Sequence, residues 1–402
     1  MALHAVIERN DTTALAKLLD EGGASSDGGL LLTGHAAIDD PDSNGWTPLL
    51  AACGHGHSSC VQLLLIAHAA IDRPTNEGRT PLHAACNQGH GHCVRLLLTA
   101  RAAVDQPDSW GSTPLHIACG QGYSDFVLLL LAAGAAVDRP TSKGRTPLYA
   151  ASHQGHSKCV RLLHAARAAV DRPEASHGRT PLLTACDRGH GDCVQLLLAA
   201  RATVDQPTSN GTTPRHTTCS SHGWTPLLAA CSQGHDNCVQ FLLAAHAVVD
   251  RPNRNGSTPL YAACCQGYGD CAQLLLAAHA DMNQPNRNGA TPLHAACDQG
   301  YGDCVQVLLA AHAAIDQPNR NGRTPLYAAC CQGHGECVQL LLAAHAAVDQ
   351  PTNTGTTPLH VACQVGYLLI AKRLVQAGAC TRALGQAPML KELLRQNYNF
   401  FD

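Results

Sequence analysis

Apolar and polar residues follow one another in short blocks along the chain, and residues 291–323 contain one complete block. Small apolar residues fill 293–297 and end before Gly300, which predicts a short helix stopped by glycine. The apolar residues of 304–309 supply one side of a second, antiparallel helix. Residues 316–323 are rich in proline, asparagine and glycine, and they predict a turn or hairpin, which we call the finger.

The same block recurs along most of the chain. Most intervals between blocks are 33 residues, but the fifth block follows after 34 and the sixth after 45. A decayed copy at 213–216 lies inside the longest interval. Threonine is a good N-cap and proline suits the first helical turn, so each Thr-Pro-Leu tripeptide is expected to start a helix. The tripeptide begins at Thr47, Thr80, Thr113, Thr146, Thr180, Thr225, Thr258, Thr291, Thr324 and Thr357.

A single block is too small to bury its own apolar side, so neighbouring blocks must share a core. The signature Gly-x-Thr-Pro-Leu-His-x-Ala, then Gly-His, then Val-x-Leu-Leu-Leu resembles that of the ankyrin repeat family over residues 2–380. The resemblance implies an all-α ankyrin-repeat solenoid of about eleven helix-turn-helix units with β-hairpin or turn fingers. One departure is Ala-His-Ala-Ala-Val-Asp, as at 344–349, where the family usually has Gly-Ala-Asp-Val-Asn.

Breaks in the period predict the domain organisation. Residues 1–40 are expected to form a degenerate N-terminal capping repeat with an inserted finger. Residues 41–211 and 224–380 are expected to form two sub-stacks of repeats, separated at 212–223 by an insertion or a worn repeat remnant. Residues 381–402 are expected to form a C-terminal half-repeat cap and tail.

Composition narrows the range of functions. The 402 residues are 45% hydrophobic but only 4% aromatic, so small residues must supply thin core layers. A formal charge of −3 lacks the basic excess of a nucleic-acid binder. No apolar run approaches ~18 residues and the N-terminus lacks a secretory signal pattern, so membrane insertion and export are not expected. The expectation is a monomer in the cytoplasm, with the nucleus as the alternative location.

The 21 cysteines recur mainly at the spacing Cys-x6-Cys, as at Cys86 and Cys93. His90 and His92 lie between that pair, so zinc binding is one interpretation. Packing is favoured, because cysteine behaves as a small apolar residue and single units carry Ser152 or Phe126 at these positions. Cys265 and Cys331 follow first-position cysteines and are the better candidates for oxidation or incidental metal capture. No metal site and no cofactor are predicted.

Histidine is also abundant, but its positions argue against catalysis. The residue after the mid-unit glycine is histidine in some units and tyrosine in others, as at His334 and Tyr301. A catalytic histidine does not tolerate that exchange, so packing or hydrogen bonding is the expected role. No Ser/His/Asp set, glycine-rich phosphate loop or paired-carboxylate motif is present in the pattern. No catalytic residue is predicted, and the chain is not expected to be an enzyme.

Positions that vary while the scaffold repeats are the candidate partner surface. They concentrate in the fingers and just after the first helix of each unit. Tryptophan and arginine are enriched in interface hot spots, and all three tryptophans fall in fingers, where little core is expected. Aspartates before most fingers, such as Asp72 and Asp316, are expected to neutralise part of the arginine charge. The predicted partner-binding residues are Trp46, Arg79, Trp110, Arg145, Arg179, Trp224, Arg254, Arg287, Arg320 and Arg323.

The resemblance implies a non-catalytic scaffold or adaptor that binds one or more proteins on a concave surface and its fingers. One alternative is the substrate-recognition subunit of a cullin-type ubiquitin ligase, although residues after Cys380 show no convincing SOCS box. A zinc-binding or cysteine-dependent enzyme is the alternative of a different class. Protein partners are expected, and nucleic acid is not.

Overall fold

A computed structural model describes residues 2–21, 38–208 and 223–381. Within these ranges the chain is all-helical, with 22 helices in eleven antiparallel pairs. The helices are α1 Ala2–Glu8, α2 Thr12–Glu21, α3 Pro48–His55, α4 Ser58–Ile66, α5 Pro81–Gln88, α6 Gly91–Thr99, α7 Pro114–Gln121, α8 Ser124–Ala132, α9 Pro147–Gln154, α10 Ser157–Ala165, α11 Pro181–Arg188, α12 Gly191–Ala199, α13 Pro226–Gln233, α14 Asp236–Ala244, α15 Pro259–Gln266, α16 Gly269–Ala277, α17 Pro292–Gln299, α18 Gly302–Ala310, α19 Pro325–Gln332, α20 Gly335–Ala343, α21 Pro358–Val365 and α22 Leu368–Gln376.

The Thr-Pro-Leu tripeptide starts the first helix of a pair as the sequence predicts. At α5 the Thr80 side chain accepts a hydrogen bond from the backbone amide of His83, and Pro81 occupies the first turn. The Thr80 amide donates a hydrogen bond to His83 Nδ1, and this second bond completes a capping box. Gly89 ends the helix at a φ of 83°, a left-handed conformation that glycine adopts at no steric cost.

Contacts divide the chain into two compact units, residues 1–185 with 192–203 and residues 186–191 with 204–402. In the first unit the odd-numbered helices α1 to α9 pack side by side, and the even-numbered helices α2 to α10 form a second layer. In the second unit, α13 to α21 and α14 to α22 are arranged in the same way. Each unit is therefore a stack of helical pairs with two layers.

Small residues and leucines build the shared core of each stack. Leu293, Ala296 and Cys297 of α17 and Cys304 and Leu308 of α18 are all fully buried. Their counterparts in the other pairs from α3 to α22 are buried in the same pattern. The fold thus achieves burial with thin layers, as the scarcity of aromatic residues indicates.

Aspartates after the second helices join consecutive helical pairs. The Asp72 carboxylate accepts a hydrogen bond from the amide of Ala103 at 2.9 Å, and Asp316 accepts one from Ala347 at 2.8 Å. Asp138, Asp171 and Asp250 make the equivalent bonds. These carboxylates therefore bind backbone amides of the next pair, and this role differs from the expected neutralisation of finger arginines.

Most of the predicted domain boundaries stay predictions. Residues 209–222, which include nearly all of the proposed 212–223 insertion, lie outside the described residues. The same holds for 382–402, the proposed C-terminal half-repeat. Residues 22–37, within the predicted N-terminal insert, are also outside them, whereas α1 and α2 provide a helical pair where a capping repeat is expected.

The departure from the family's glycine at the end of the second helix has a conformational cost. His312 follows α18 with a φ of 63°, and histidine or arginine takes this left-handed conformation at seven other second-helix ends. We expect His312→Gly to raise the free energy of unfolding by about 0.5–1 kcal/mol, because glycine relieves this strain more than it loosens the unfolded chain. Urea unfolding of the variant and of His312→Ala provides the test. An equal gain with alanine would show that strain at φ 63° is not the cause.

Candidate partner-binding groove

The fingers are short turns fixed by their own side chains, and no strand forms in the described part of the chain. In one finger Asp108 donates its amide to the carbonyl of Ser112 at 2.9 Å. The Asp108 carboxylate accepts from the amides of Trp110 and Ser112 at 3.0 and 2.7 Å. Neighbouring fingers are joined as well, because the Ser109 amide donates to the carbonyl of Glu77. The fingers therefore form an ordered edge beside the first helices.

A groove of about 490 Å³ lies between three fingers and the first helices of the first unit. It brings together Trp46, Arg79 and Trp110, three of the residues predicted from sequence to bind a partner. We call it the tryptophan groove. It is lined by Asn44, Trp46, Leu50, Thr75, Asn76, Glu77, Arg79, His83, Ala84, Asn87, Gln88, Asp108, Trp110, Ser112 and Ile117.

Trp110 is the most accessible aromatic residue of the tryptophan groove, with 46% of its surface exposed. The guanidinium carbon of Arg79 lies 5.0 Å from its ring centroid, within the range of a cation–π interaction. Arg79 Nη1 also lies 3.5 Å from Glu77 Oε2. The indole and guanidinium groups thus hold each other in a defined arrangement at one side of the groove.

Trp46 also lines the groove and is half-buried. Its ring packs against Gly54 of α3, where an added Cβ would lie only 2.8 Å from ring atom Cζ3. Its carbonyl accepts a hydrogen bond from His4 Nε2 of the first helical pair at 2.8 Å. Trp46 is therefore positioned by contacts with its own pair and with the preceding one.

The floor of the groove includes residues that the sequence did not single out. His83 Nε2 hydrogen-bonds to the carbonyl of Ser112 at 2.9 Å, and burial lowers the pKa of His83 below its ordinary value. Ile117 of α7 adds half-buried apolar surface, whereas Leu50 of α3 is buried. Ile117 replaces the alanine found at the equivalent Ala84, and this replacement was the available sequence signal.

His116 departs from the behaviour of its counterparts in other pairs. Its amide donates to the Thr113 hydroxyl, but its buried Nε2 has no hydrogen-bond partner within the ranges that the structure describes. Burial lowers its pKa to about 4, so the ring is neutral at physiological pH. Its electrostatic neighbours are Asp108, which lines the tryptophan groove, and Arg145.

The other predicted arginines lie outside the tryptophan groove. Arg145 lies over Tyr149 and Arg323 over Tyr327, each with its guanidinium carbon 5.4 Å from the ring centroid. Arg179 is half-buried. The remaining three, all exposed, belong to the fingers of the second unit: Arg254, Arg287 and Arg320.

The expectation that finger tryptophans have little core to fill is wrong for Trp224. Only 8% of this residue is exposed, and it packs with Leu228, Ala229 and Ala262. Among the described residues, its buried indole nitrogen has no hydrogen-bond partner. Trp224 lies directly before its capping threonine, as Trp46 does, but packing makes it a core residue with little surface for a partner.

The cysteines pack between helical pairs. Hydrogen bonds join Cys53 to Cys93 and Cys264 to Cys304, so spatial neighbours come from consecutive pairs. Burial raises the pKa of Cys159 to about 11, which opposes thiolate formation. Cys265 and Cys331 are half-exposed, as predicted. In the described ranges, no group of three or more His, Cys, Asp or Glu residues is placed to hold a metal ion.

The histidine or tyrosine after the mid-unit glycine has a structural role. His334 packs on Gly300 of the preceding pair, and its Nε2 lies 3.1 Å from the carbonyl of Asp298. Tyr301 packs in the same way on Gly267. The exchange of histidine for tyrosine thus reflects packing on a glycine, as the sequence indicated.

Comparison with known proteins supports one assignment for the fold and the repeats. The family model described as ankyrin repeats (3 copies) matches in overlapping segments from residues 3–108 to 293–384. The crystal structure of the human ASB11 ankyrin repeat domain is similar, with 30% identity and a TM-score of 0.51. That match covers 58% of this chain and 98% of the other. A search of curated proteins gave no match.

Proposed function

The chain belongs to the ankyrin repeat family, and on that premise we propose that it is a non-catalytic scaffold or adaptor whose tryptophan groove binds a segment of a partner protein. Ankyrin repeats are protein–protein interaction modules. The observation that carries the proposal is the groove itself, which gathers Trp46, Arg79 and Trp110 from three consecutive helical pairs. No helix in the described ranges has both the length and the apolar character needed to cross a membrane.

The lining of the groove suits an extended peptide with an apolar side chain. Trp46 and Trp110 offer aromatic surface, and Ile117 adds aliphatic surface between the fingers and helices. Large aromatic residues contribute most of the binding energy in many interfaces. Asn76 and Asn87 supply side-chain amides that can pair with a peptide backbone.

Arg79 is expected to add specificity at the same place. It already stacks on Trp110 and lies near Glu77, so its guanidinium is held in position before a partner arrives. Preorganised groups lose less conformational freedom on binding. A partner carboxylate or carbonyl beside the apolar anchor would therefore meet a fixed donor.

We expect Trp110→Ala to weaken partner binding by about 1.5–3 kcal/mol, the range of an aromatic hot spot. Ile117→Ala should cause a similar loss only if the partner side chain that enters the groove is aliphatic. Partners are first identified by proximity labelling with the intact chain, and affinities are then measured with the purified proteins. Leu128→Ala is the matched control, because Leu128 is 56% exposed on α8 and does not line the groove.

Two results would contradict this proposal. One is a purified partner that binds wild type, Trp110→Ala and Leu128→Ala equally well. The other is a photo-crosslinker at Asn87 that captures no partner while the same crosslinker on α8 does. The ligase-receptor alternative is decided in the same labelling experiment, since it requires cullin-pathway proteins among the labelled set.

A further inference from the structure

Three consecutive fingers of the second unit share an unusual charge pattern. Each reads Asn-Arg-Asn-Gly, at 253–256, 286–289 and 319–322, and no acidic residue lies between the first asparagine and the capping threonine. In the first unit, four of the five fingers carry an acid in the corresponding stretch, namely Asp42, Glu77, Asp108 or Glu174. Asp250 and Asp316, which begin two of the second unit's fingers, accept backbone amides of the next helical pair, so the positive charge of the finger tips has no acid in the same stretch to offset it.

In these three fingers, an asparagine occupies the position that an acidic residue such as Asp108 has in the first unit. The Asn286 side-chain oxygen accepts from the amides of Asn288 and Ala290 at 2.9 and 3.0 Å. The Asp108 carboxylate makes the same two bonds in the first unit. A neutral amide thus fixes the turn equally well and leaves the arginine charge in place.

Backbone hydrogen bonds hold the three fingers in register. The Arg287 amide donates to the carbonyl of Asn255 at 2.9 Å, and the Arg320 amide donates to Asn288 at 3.0 Å. Arg254, Arg287 and Arg320 are exposed. Within the described ranges their guanidinium groups have no hydrogen-bond or ion-pair partner. We call this row of three residues the arginine edge, and it presents one unpaired guanidinium for each repeat.

We propose that the arginine edge binds an extended acidic segment of a partner protein, whose carboxylates pair with successive fingers. The planar guanidinium offers two parallel N–H donors that match a carboxylate. The positions belong to the second unit and share no residue with the tryptophan groove. The proposal therefore goes beyond the groove's function and stands or falls separately from it.

The charge distribution favours a narrow protein segment over a broad polyanion. The same unit carries an acid in the first turn of consecutive second helices, at Asp236, Asp270, Asp303 and Glu336. Three of these acids line a cleft of about 830 Å³. A nucleic-acid duplex or an anionic membrane would place many negative charges near a chain whose formal charge is already −3. An extended acidic peptide needs to contact only the arginine edge.

The test uses the full chain and fluorescence anisotropy at low salt. The probe is a labelled peptide of repeated Glu-Gly-Glu-Ser, and a Gln-Gly-Gln-Ser peptide is its uncharged match. The variant Arg254→Gln/Arg287→Gln/Arg320→Gln removes the edge. The control Arg9→Gln/Arg95→Gln/Arg161→Gln removes the same charge from exposed positions outside the fingers, and circular dichroism verifies that both are folded.

The expected result is binding of the glutamate peptide that weakens at least ~10-fold in the edge variant and less than ~2-fold in the control. Binding should also weaken as salt rises, because exposed charges are screened. The proposal is overturned if the glutamine peptide binds as well, if both variants lose affinity equally, or if no binding occurs. It is also overturned if oligothymidine or phosphatidylserine vesicles displace the peptide more effectively than unlabelled glutamate peptide does.

Discussion

Replacing Trp224 by alanine is expected to lower the free energy of unfolding of the second unit by about 3–4 kcal/mol. The reason is that the indole ring is almost fully buried against Leu228, Ala229 and Ala262, so its removal leaves a cavity. The Trp224 carbonyl accepts from the Thr208 amide and the Trp224 amide donates to the Thr208 hydroxyl; neither bond requires the indole, so both remain. Urea unfolding followed by circular dichroism measures the change.

Two other tryptophan variants test whether the loss of unfolding free energy depends on burial of the ring. Trp110→Ala should cost about 1 kcal/mol or less, because nearly half of that residue is already in water. Trp224→Phe should cost less than about 1.5 kcal/mol, since phenylalanine fills most of the space and removes a buried N–H that has no partner in the described part of the chain. If Trp224→Ala unfolds at the same urea concentration as wild type, Trp224 is not a core residue.

Gly300→Ala is expected to destabilise the second unit by about 3 kcal/mol through two separate effects. The residue has a φ of 83°, which strains any side chain, and its new Cβ would lie 2.5 Å from His334 Nδ1. The imidazole would have to move, and its hydrogen bond to the carbonyl of Asp298 would be lost. Denaturant unfolding of the purified variant provides the measurement.

Gly355 is the matched control, because it has a φ of 77° but no atom within 4 Å of the added Cβ. Gly355→Ala should therefore cost only the backbone strain, about 1 kcal/mol. In a His334→Ala background the cost of Gly300→Ala should fall to the same value, which a double-mutant cycle measures. Equal costs for Gly300→Ala with and without the imidazole would refute the steric argument.

Much of the fold was predictable because local rules and the repeat agree. Thr291, Pro292 and Gly300 mark the start and end of a helix in the sequence, and α17 has those limits. The buried leucines and cysteines follow from the same period. The division of the chain into two compact units was not predictable in this way. Which helical pairs contact one another depends on the segments that break the 33-residue period.

The candidate site was only partly predictable. The sequence identified Trp46, Arg79 and Trp110, and the structure places all three in one groove. It did not distinguish Trp224 from them, since burial depends on neighbours such as Ala262 from the next pair. The arginines also separated by position in the finger. Arg145 and Arg323, directly before the capping threonine, lie over tyrosines of the following helices. In the described ranges, the guanidinium groups at the finger tips have no such partner.

The bonds between helical pairs have a consequence for how such a chain can change its length. Asp250 bonds to the amide of residue 281, Asp316 to that of residue 347, and Arg320 to the carbonyl of residue 288, each spanning nearly one period. A tandem duplication or deletion of 33 residues therefore restores every donor to an equivalent acceptor. A fragment of another length leaves a junction with unmatched groups. Recombination that adds or removes whole 33-residue repeats can thus lengthen or shorten the arginine edge by one guanidinium at a time, and the hydrogen bonds between helical pairs need no further substitutions.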